Sequence, residues 1–290
     1  MPFGLCNAPA TFQRIMNNAL RDFLGKFVIV YLDDIVIYSD SDSEHKQHLE
    51  QVFETLQKND LFARPSKCII GAPELEFCGH IVGQGLVRPT ASKVQAIQDW
   101  PAPRNVHEVR QFLGLASYYR RYVSGFAKIA APLSDLLVEA DAELRKKKFR
   151  PIRWTPTAQH AFVALKKSLV SEPVLIQPDR SKRFRIETDA SEWAIGCVLL
   201  QLGPDVKWHP VAFDGRKLNG AELNYPVHEK ELLAIKYALR TWDEYIQNGT
   251  TTEVVTDHES LKYLIITKTP SKRLACWINE FAEYQLNIKY

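Results

Sequence analysis

The amino-acid sequence predicts an α+β amino-terminal part followed by an α/β domain with a mixed sheet. Three observations carry this. Residues 27–38 are two β-rich apolar runs around Leu32-Asp33-Asp34, with helical apolar spacing on either side. Between residues 184 and 256 four short strand-like runs are interrupted by one long helix. Between these regions Leu144-Arg145-Lys146-Lys147-Lys148-Phe149-Arg150 is a charged connector, which places a boundary near Pro151.

Composition excludes several classes. The chain has 290 residues, enough for two or three domains with cores, and its 46% hydrophobic and 24% charged residues are those of an ordinary soluble protein. No apolar run has membrane-spanning length and no signal peptide is present, so no membrane partner is expected. The five cysteines are odd in number and irregularly spaced, which predicts reduced thiols in an intracellular protein. Cys68, Cys78 and His80 can be drawn as a metal site, but buried structural cysteines are the favoured reading. The net charge of +3 hides an asymmetry: residues 1–65 carry 6 Lys and Arg against 9 Asp and Glu, and residues 66–153 carry 14 against 8. An acidic end followed by a basic middle suits a protein that holds cations at one place and phosphates beside it, although a merely solvated basic surface has the same composition.

Taken in order, Pro9 to Leu24 has Phe12, Ile15, Met16, Ala19, Leu20 and Phe23 at helical spacing. The hairpin of residues 27–38 follows, with Asp33 and Asp34 at its tip on a buried support. Adjacent carboxylates repel, and a divalent cation relieves that cost; the alternative is a solvated Asp-Asp turn. Ser43 is the expected cap of a second helix, whose Leu49, Val52, Phe53 and Leu56 form a core stripe and whose His45 and His48 are expected at the surface. Cys68 to Val87 reads as short strands punctuated by Gly71, Gly79, Gly83 and Gly85. After the stiff Trp100-Pro101-Ala102-Pro103, Asn105 and Glu108 form a capping box, and Val109, Phe112, Leu113 and Ala116 face inward. Arg110, Tyr118, Tyr119, Arg120, Arg121 and Tyr122 interleave cations with rings, a surface suited to a phosphate backbone and its bases. Thr155-Pro156 opens a further helix.

Strands are expected at Phe184–Thr188, Ala194–Gln201, Pro210–Phe213 and Glu253–Thr256, a helix from about Val227 to Ile246, and a last strand at Gln285–Tyr290. Asp189 and Asp257 end two of the strands, and Glu231 lies on the buried face of the helix, one turn before Ile235. Each acid alone is more commonly a cap or an ion-pair member. Together the three can converge on divalent cations.

The Tyr31-Leu32-Asp33-Asp34 box resembles the catalytic box of reverse transcriptases. Met1-Pro2-Phe3-Gly4-Leu5-Cys6-Asn7-Ala8-Pro9-Ala10-Thr11-Phe12-Gln13-Arg14 is similar to the nucleotide- and template-contacting segment upstream of that box. Phe77-Cys78-Gly79-His80-Ile81-Val82 is similar to the primer-grip hairpin, and the segment from Phe112 to Arg121 to the polymerase thumb. Glu187-Thr188-Asp189-Ala190-Ser191, Glu229-Lys230-Glu231-Leu232-Leu233-Ala234-Ile235 and Val255-Thr256-Asp257-His258 resemble the first three acidic motifs of retroelement ribonuclease H. The resemblance is to the pol polyprotein of gypsy-like LTR retrotransposons, over essentially the whole chain.

It implies a palm remainder at residues 1–66, a primer grip and thumb at 67–150, and a ribonuclease H-like domain, truncated at its carboxyl end, at 151–290. It implies RNA-directed DNA synthesis and cleavage of RNA in RNA–DNA hybrids by a two-metal-ion mechanism. The cofactor is then Mg²⁺, with Mn²⁺ as substitute, and the partners are RNA template, DNA primer, hybrid, deoxynucleotides and the remainder of the polyprotein. Asp33, Asp34, Asp189, Glu231 and Asp257 become catalytic metal ligands. Pro2, Phe3, Gly4 and Tyr31 become nucleotide and template contacts, Phe77, Gly79 and His80 primer contacts, and Arg110, Tyr119, Arg120 and Arg121 nucleic-acid contacts. The family's third polymerase carboxylate and fourth ribonuclease H acid have no counterpart here, so both sites are expected to be incomplete. The implied location is a cytoplasmic virus-like particle with a nuclear phase. A non-catalytic nucleic-acid-binding remnant and a subunit completing its sites with another chain are the rival readings.

Overall fold

Helix α1 (Ala8–Ala19) starts at a proline in its first turn and turns Met16, together with the following Leu20, into a small core with Val28, Val52 and Leu56. The computed structural model describes residues 6–143, 152–171, 174–256 and 271–289. Two compact units divide the chain between Gln84 and Gly85.

In the first unit, β1 (Val28–Tyr31) and β2 (Asp34–Ile37) pair antiparallel from Val28↔Ile37 to Tyr31↔Asp34, leaving Leu32 and Asp33 as a two-residue turn. Helix α2 (Asp42–Lys58) packs Val52 and Leu56 inward. Its cap is Ser41 and not the expected Ser43: Ser41 is extended and its Oγ accepts the Glu44 N–H, while Glu44 Oε2 accepts the N–H of Asp40. Ser41 thus caps the Glu44 N–H while Glu44 reaches back to the residue before the cap, and this pair of bonds outcompetes a serine already inside the first turn. His45 and His48 are not simply solvated, because both Nδ1 atoms meet Ser39 Oγ, at 3.2 and 2.8 Å, and His48 stacks on Phe27 at 3.7 Å. Strands β3 (Glu74–Phe77) and β4 (His80–Gly83) form a second hairpin with Phe77↔His80 closing it. A Cβ at Gly83 would lie 2.2 Å from the Pro73 carbonyl oxygen, so this close approach admits glycine alone.

In the second unit β5 (Leu86–Pro89) pairs antiparallel with β6 (Leu175–Ile176). Helices α3 (Ala91–Gln98), α4 (Val106–Tyr118), α5 (Phe126–Glu143) and α6 (Pro156–Val170) build one core around Phe112, Leu133, Phe162 and Leu165. The expected capping box holds, with Asn105 Oδ1 accepting the Glu108 N–H at 3.0 Å. Helix α6 follows the charged connector in sequence, yet it shares its core with the helices before that connector; the Phe112 and Phe162 rings lie 4.6 Å apart.

The five-stranded sheet has the order β11-β10-β7-β8-β9. Here β7 (Phe184–Ala190), β8 (Ala194–Leu202) and β9 (Trp208–Lys217) are antiparallel, and β10 (Thr252–Thr256) and β11 (Leu286–Lys289) add on in parallel. The sheet is mixed, as expected. Helices α7 (Val227–Thr241), α8 (Asp243–Ile246) and α9 (Lys272–Phe281) pack Leu232, Ile235, Leu239, Ile246 and Trp277 onto it. The single helix expected to Ile246 is thus two, divided at Trp242. Among the described residues no helix is long and apolar enough to cross a membrane.

Candidate functional site

The acidic hairpin is buried on one face only. Val28, Val30, Ile35 and Ile37 meet the core of α1 and α2, whereas Ile29 is 46% and Tyr31 55% exposed on the other face. This corrects the expectation of a fully buried support, and the reason is the two-residue period of a strand. Asp33 and Asp34 are exposed, and among the described residues no ion pair joins either to a Lys, Arg or His. Two adjacent carboxylates without a protein cation are a donor set that fits a divalent ion. The turn itself is strained: Leu32 has φ 53°, in the left-handed region, where a non-glycine residue costs on the order of 1–3 kcal/mol. Gln13 of α1 reaches this turn. The Leu32 N–H donates to its Oε1 at 2.6 Å, and its Nε2 donates to the Val30 carbonyl at 3.2 Å. No local sequence signal marks this contact, which links residues far apart in the chain.

The β3–β4 turn comes close to the same acids. Cys78 and Gly79 both have positive φ, at 48° and 74°, as a two-residue type I′ turn requires. The Cys78 thiol is pushed up, first by burial and second by the charge of Asp34. A cavity of about 510 Å³ opens between the two hairpins and is lined by Asp33, Asp34, Phe53, Glu76 and Phe77 among others. His80, like Phe77, is partly buried in this hairpin. The expectation of buried structural cysteines is corrected at Cys68, which is exposed, and at Cys78, which is half-buried. Among the described residues no group of three His, Cys, Asp or Glu is arranged to hold a metal ion, so Cys68, Cys78 and His80 form no such site.

In the second unit Asp189 is exposed near the end of β7, and Glu231 is only 3% exposed on α7, which packs against that sheet. Asp257, the third expected acid, lies outside the described residues, as do Pro2, Phe3 and Gly4. The last residue of β10, Thr256, stands beside Thr188, which precedes Asp189. Glu229 is buried as well, at 6% exposure, but its carboxylate is engaged by Arg273, whose guanidinium stacks on Tyr225 at 3.9 Å. The two glutamates of this motif are therefore distinguished by their surroundings.

The cation and ring surface of residues 110–122 is not one face. Tyr119 is 2% exposed and Tyr122 is buried, both in the α4–α6 core. Arg120 pairs with Asp214 and donates to the Gly215 carbonyl, and Arg121 Nη2 lies 3.5 Å from the Val211 carbonyl. Arg110 is exposed on α4. The interleaved pattern is thus corrected for Tyr119 and Arg120: the rings fill a core, and Arg120 joins it to β9.

Residues 1–82 match the family model described as reverse transcriptase (RNA-dependent DNA polymerase), and residues 179–284 match the RNase H-like domain found in reverse transcriptase. Both families generally use divalent metals. Over 290 residues the chain is 41% identical to the retrovirus-related Pol polyprotein from transposon 297 of Drosophila melanogaster, covering 100% of this chain and 26% of that protein. It is 35% identical over 293 residues to the Tf2-3 transposon polyprotein of Schizosaccharomyces pombe, again over 100% of this chain, and covers 21% of it. The chain thus spans about a quarter of the length of these relatives. Among solved structures, the foamy viral protease-reverse transcriptase in complex with double-stranded DNA matches with a TM-score of 0.82 and 25% identity, covering 100% of this chain and 59% of that one. The same viral protein in complex with an RNA/DNA hybrid matches at 0.80 and 24%, over 100% of this chain and 38% of that one.

Proposed function

This chain belongs to the family of retrotransposon Pol polyproteins and carries their reverse transcriptase and ribonuclease H-like regions, and from that premise we propose that it serves RNA-directed DNA synthesis and the cleavage of RNA in RNA–DNA hybrids. The observation that carries the polymerase reading is the pair Asp33 and Asp34, exposed and, among the described residues, without a protein cation at a strained turn that opens onto a cavity shared with Phe77. The polymerase ligands present here would be these two carboxylates; Asp189, Glu231 and Asp257 would hold a cation in the second unit. When bound, divalent ions supply charge neutralisation and orientation at the phosphate undergoing displacement.

The chain's own residues then divide the work. Tyr31, exposed beside the acids, and Pro2, Phe3 and Gly4 contact the nucleotide and template. Phe77, Gly79 and His80 of the β3–β4 hairpin position the primer end. Arg110 and Arg121 remain as contacts for a phosphate backbone, while Tyr119 and Arg120 serve the core. Substrates are an RNA template, a DNA primer and deoxynucleotides, and the remainder of the polyprotein is the partner. RNA-templated primer extension in Mg²⁺ and cleavage of a labelled RNA strand paired to DNA test both halves. Measured on a polyprotein segment that also supplies the two acids without a counterpart here, the reading requires Asp33→Asn to remove extension alone and Glu231→Gln to remove cleavage alone. Extension that survives Asp33→Asn refutes the polymerase assignment.

A further inference from the structure

Gln13 contributes no charge and lies on a helix one layer away from the acids, yet its carboxamide is spent on their turn. In a two-residue hairpin closed by Tyr31 and Asp34, the C=O of Val30 and the N–H of Leu32 point away from β2, onto the outer edge of β1. An edge of this kind is normally left to solvent or to a neighbouring strand. Gln13 takes both groups at once, accepting from Leu32 N–H at 2.6 Å and donating to Val30 O at 3.2 Å. The remaining Nε2 hydrogen goes to Asn17 Oδ1 at 2.8 Å, one helical turn on, which fixes the orientation of the amide. The register of α1 is itself set by Met16 and Leu20 against Val28. A side-chain amide thus stands in for one peptide unit of a third strand.

What it holds is the one residue of this turn that is out of place. Of the two turn residues only Leu32 has positive φ, the first central position of a type II′ turn, where glycine is the usual occupant. A leucine there returns readily to a negative φ unless its neighbours over-determine it, and such a change re-aims the carboxylates of Asp33 and Asp34 that follow. We propose that Gln13 is a positioning residue of the acidic hairpin, clamping Leu32 in the left-handed conformation so that Asp33 and Asp34 present their carboxylates to one cation. This rests on the reading of Asp33 and Asp34 as metal ligands.

The test uses amide spectra of the full chain, with Mn²⁺ alone as the probe. In the wild type the Leu32 N–H exchanges slowly with solvent, and Mn²⁺ broadens the Leu32–Ile35 signals. Gln13→Met speeds Leu32 exchange and weakens the broadening, each by about fivefold, the factor that one hydrogen bond of ordinary net worth gives. Adding Leu32→Gly to Gln13→Met restores Mn²⁺ affinity without restoring exchange protection, because glycine adopts positive φ without a clamp. A role in stability alone would not produce that rescue. Leu32 exchange that is fast in the wild type, or unchanged by Gln13→Met, overturns the clamp whatever the metal does. A protected Leu32 N–H with no Mn²⁺ broadening at the hairpin sinks the metal reading of the acids instead, and the positioning role with it.

Discussion

Arg120 donates through Nη2 to Oδ1 of Asp214, a residue 94 positions further along the chain, and to the carbonyl of Gly215 beside it. Tyr237 Oη donates to the same carboxylate oxygen at 3.1 Å and the Gly215 N–H at 2.6 Å. One oxygen on β9 therefore gathers donors from the 3₁₀ turn after α4, from α7 and from its own strand. Burial, and next the charge of Asp214, push the Tyr237 phenol above its ordinary value, so this tyrosine remains a donor.

The first prediction concerns that junction. Hydrogen bonds to a charged partner are worth ~1.5–3 kcal/mol. Arg120→Ala is expected to destabilise the second unit by about that amount, measured as a lower urea midpoint, because Asp214 keeps its charge and loses its cation. The same substitution should leave the salt dependence of hybrid binding unchanged, since only a cation that neutralises a phosphate adds to that slope, by about one each. A flattened slope with unchanged stability would return Arg120 to the nucleic-acid surface.

Arg120 also shows where sequence reading reaches its limit. Hairpins, helical stripes and capping boxes such as Asn105–Glu108 are written in residues a few positions apart, and the strands around Asp189 and the helix carrying Glu231 were legible for the same reason. The alternation of Tyr119, Arg120, Arg121 and Tyr122 looks identical whether it faces water or a core, because the deciding partners, Asp214 and Phe162, lie far off in sequence. Gln13 was illegible on the same ground, since only the folded hairpin shows that Leu32 needs it. The cap of α2 was read at Ser43 and lies at Ser41, because the bonds of Ser41 to the Glu44 N–H and of Glu44 to the Asp40 N–H form only in the folded turn.

Acid should unfold the second unit in a defined direction. Hydrogen bonds from Arg216, at 2.6 and 2.9 Å, hold the Glu222 carboxyl below its ordinary value of 4.5 against the opposing effect of burial. Lys289 does the same for Glu253. A folded-state value below the unfolded one means that the unfolded chain binds the proton more readily. The stabilisation is therefore complete above pH 4.5 and is lost as pH falls through the lower folded values. Urea midpoints measured against pH should fall below that point. In Arg216→Met the neutral-pH midpoint should be lower and the acid decline shallower.

A different balance holds at the acidic hairpin. Asp33 and Asp34 are exposed and repel each other, so neither contributes to folding. Asp33→Asn and Asp34→Asn should leave the melting temperature unchanged or slightly raised in the absence of divalent metal. In a polyprotein segment that also supplies the third carboxylate, each should abolish Mg²⁺-dependent primer extension. Melting curves without metal and extension assays with it check the two halves separately, and a large stability loss would mark these acids as structural.

The two buried glutamates of α7 offer the sharpest comparison. Glu229 is neutralised by Arg273, which itself stacks on Tyr225, so Glu229→Gln removes one partner of a built ion pair. That should cost stability, by less than the ~3–5 kcal/mol of a fully buried pair because the Arg273 side chain is 40% exposed, while leaving any response to Mn²⁺ intact. Glu231, two residues on and more deeply buried, is the glutamate assigned here to metal, together with Asp189 and Asp257. Binding to the folded state alone stabilises by about 1.4 kcal/mol when the free ion is at ten times its Kd. The wild-type melting temperature should therefore rise with Mn²⁺, and Glu231→Gln and Asp189→Asn should each erase the rise and the cleavage of hybrid RNA. Thermal melts across a Mn²⁺ series for the three variants decide the assignment. If Glu229→Gln removes the metal response and Glu231→Gln does not, the roles of the two glutamates are exchanged.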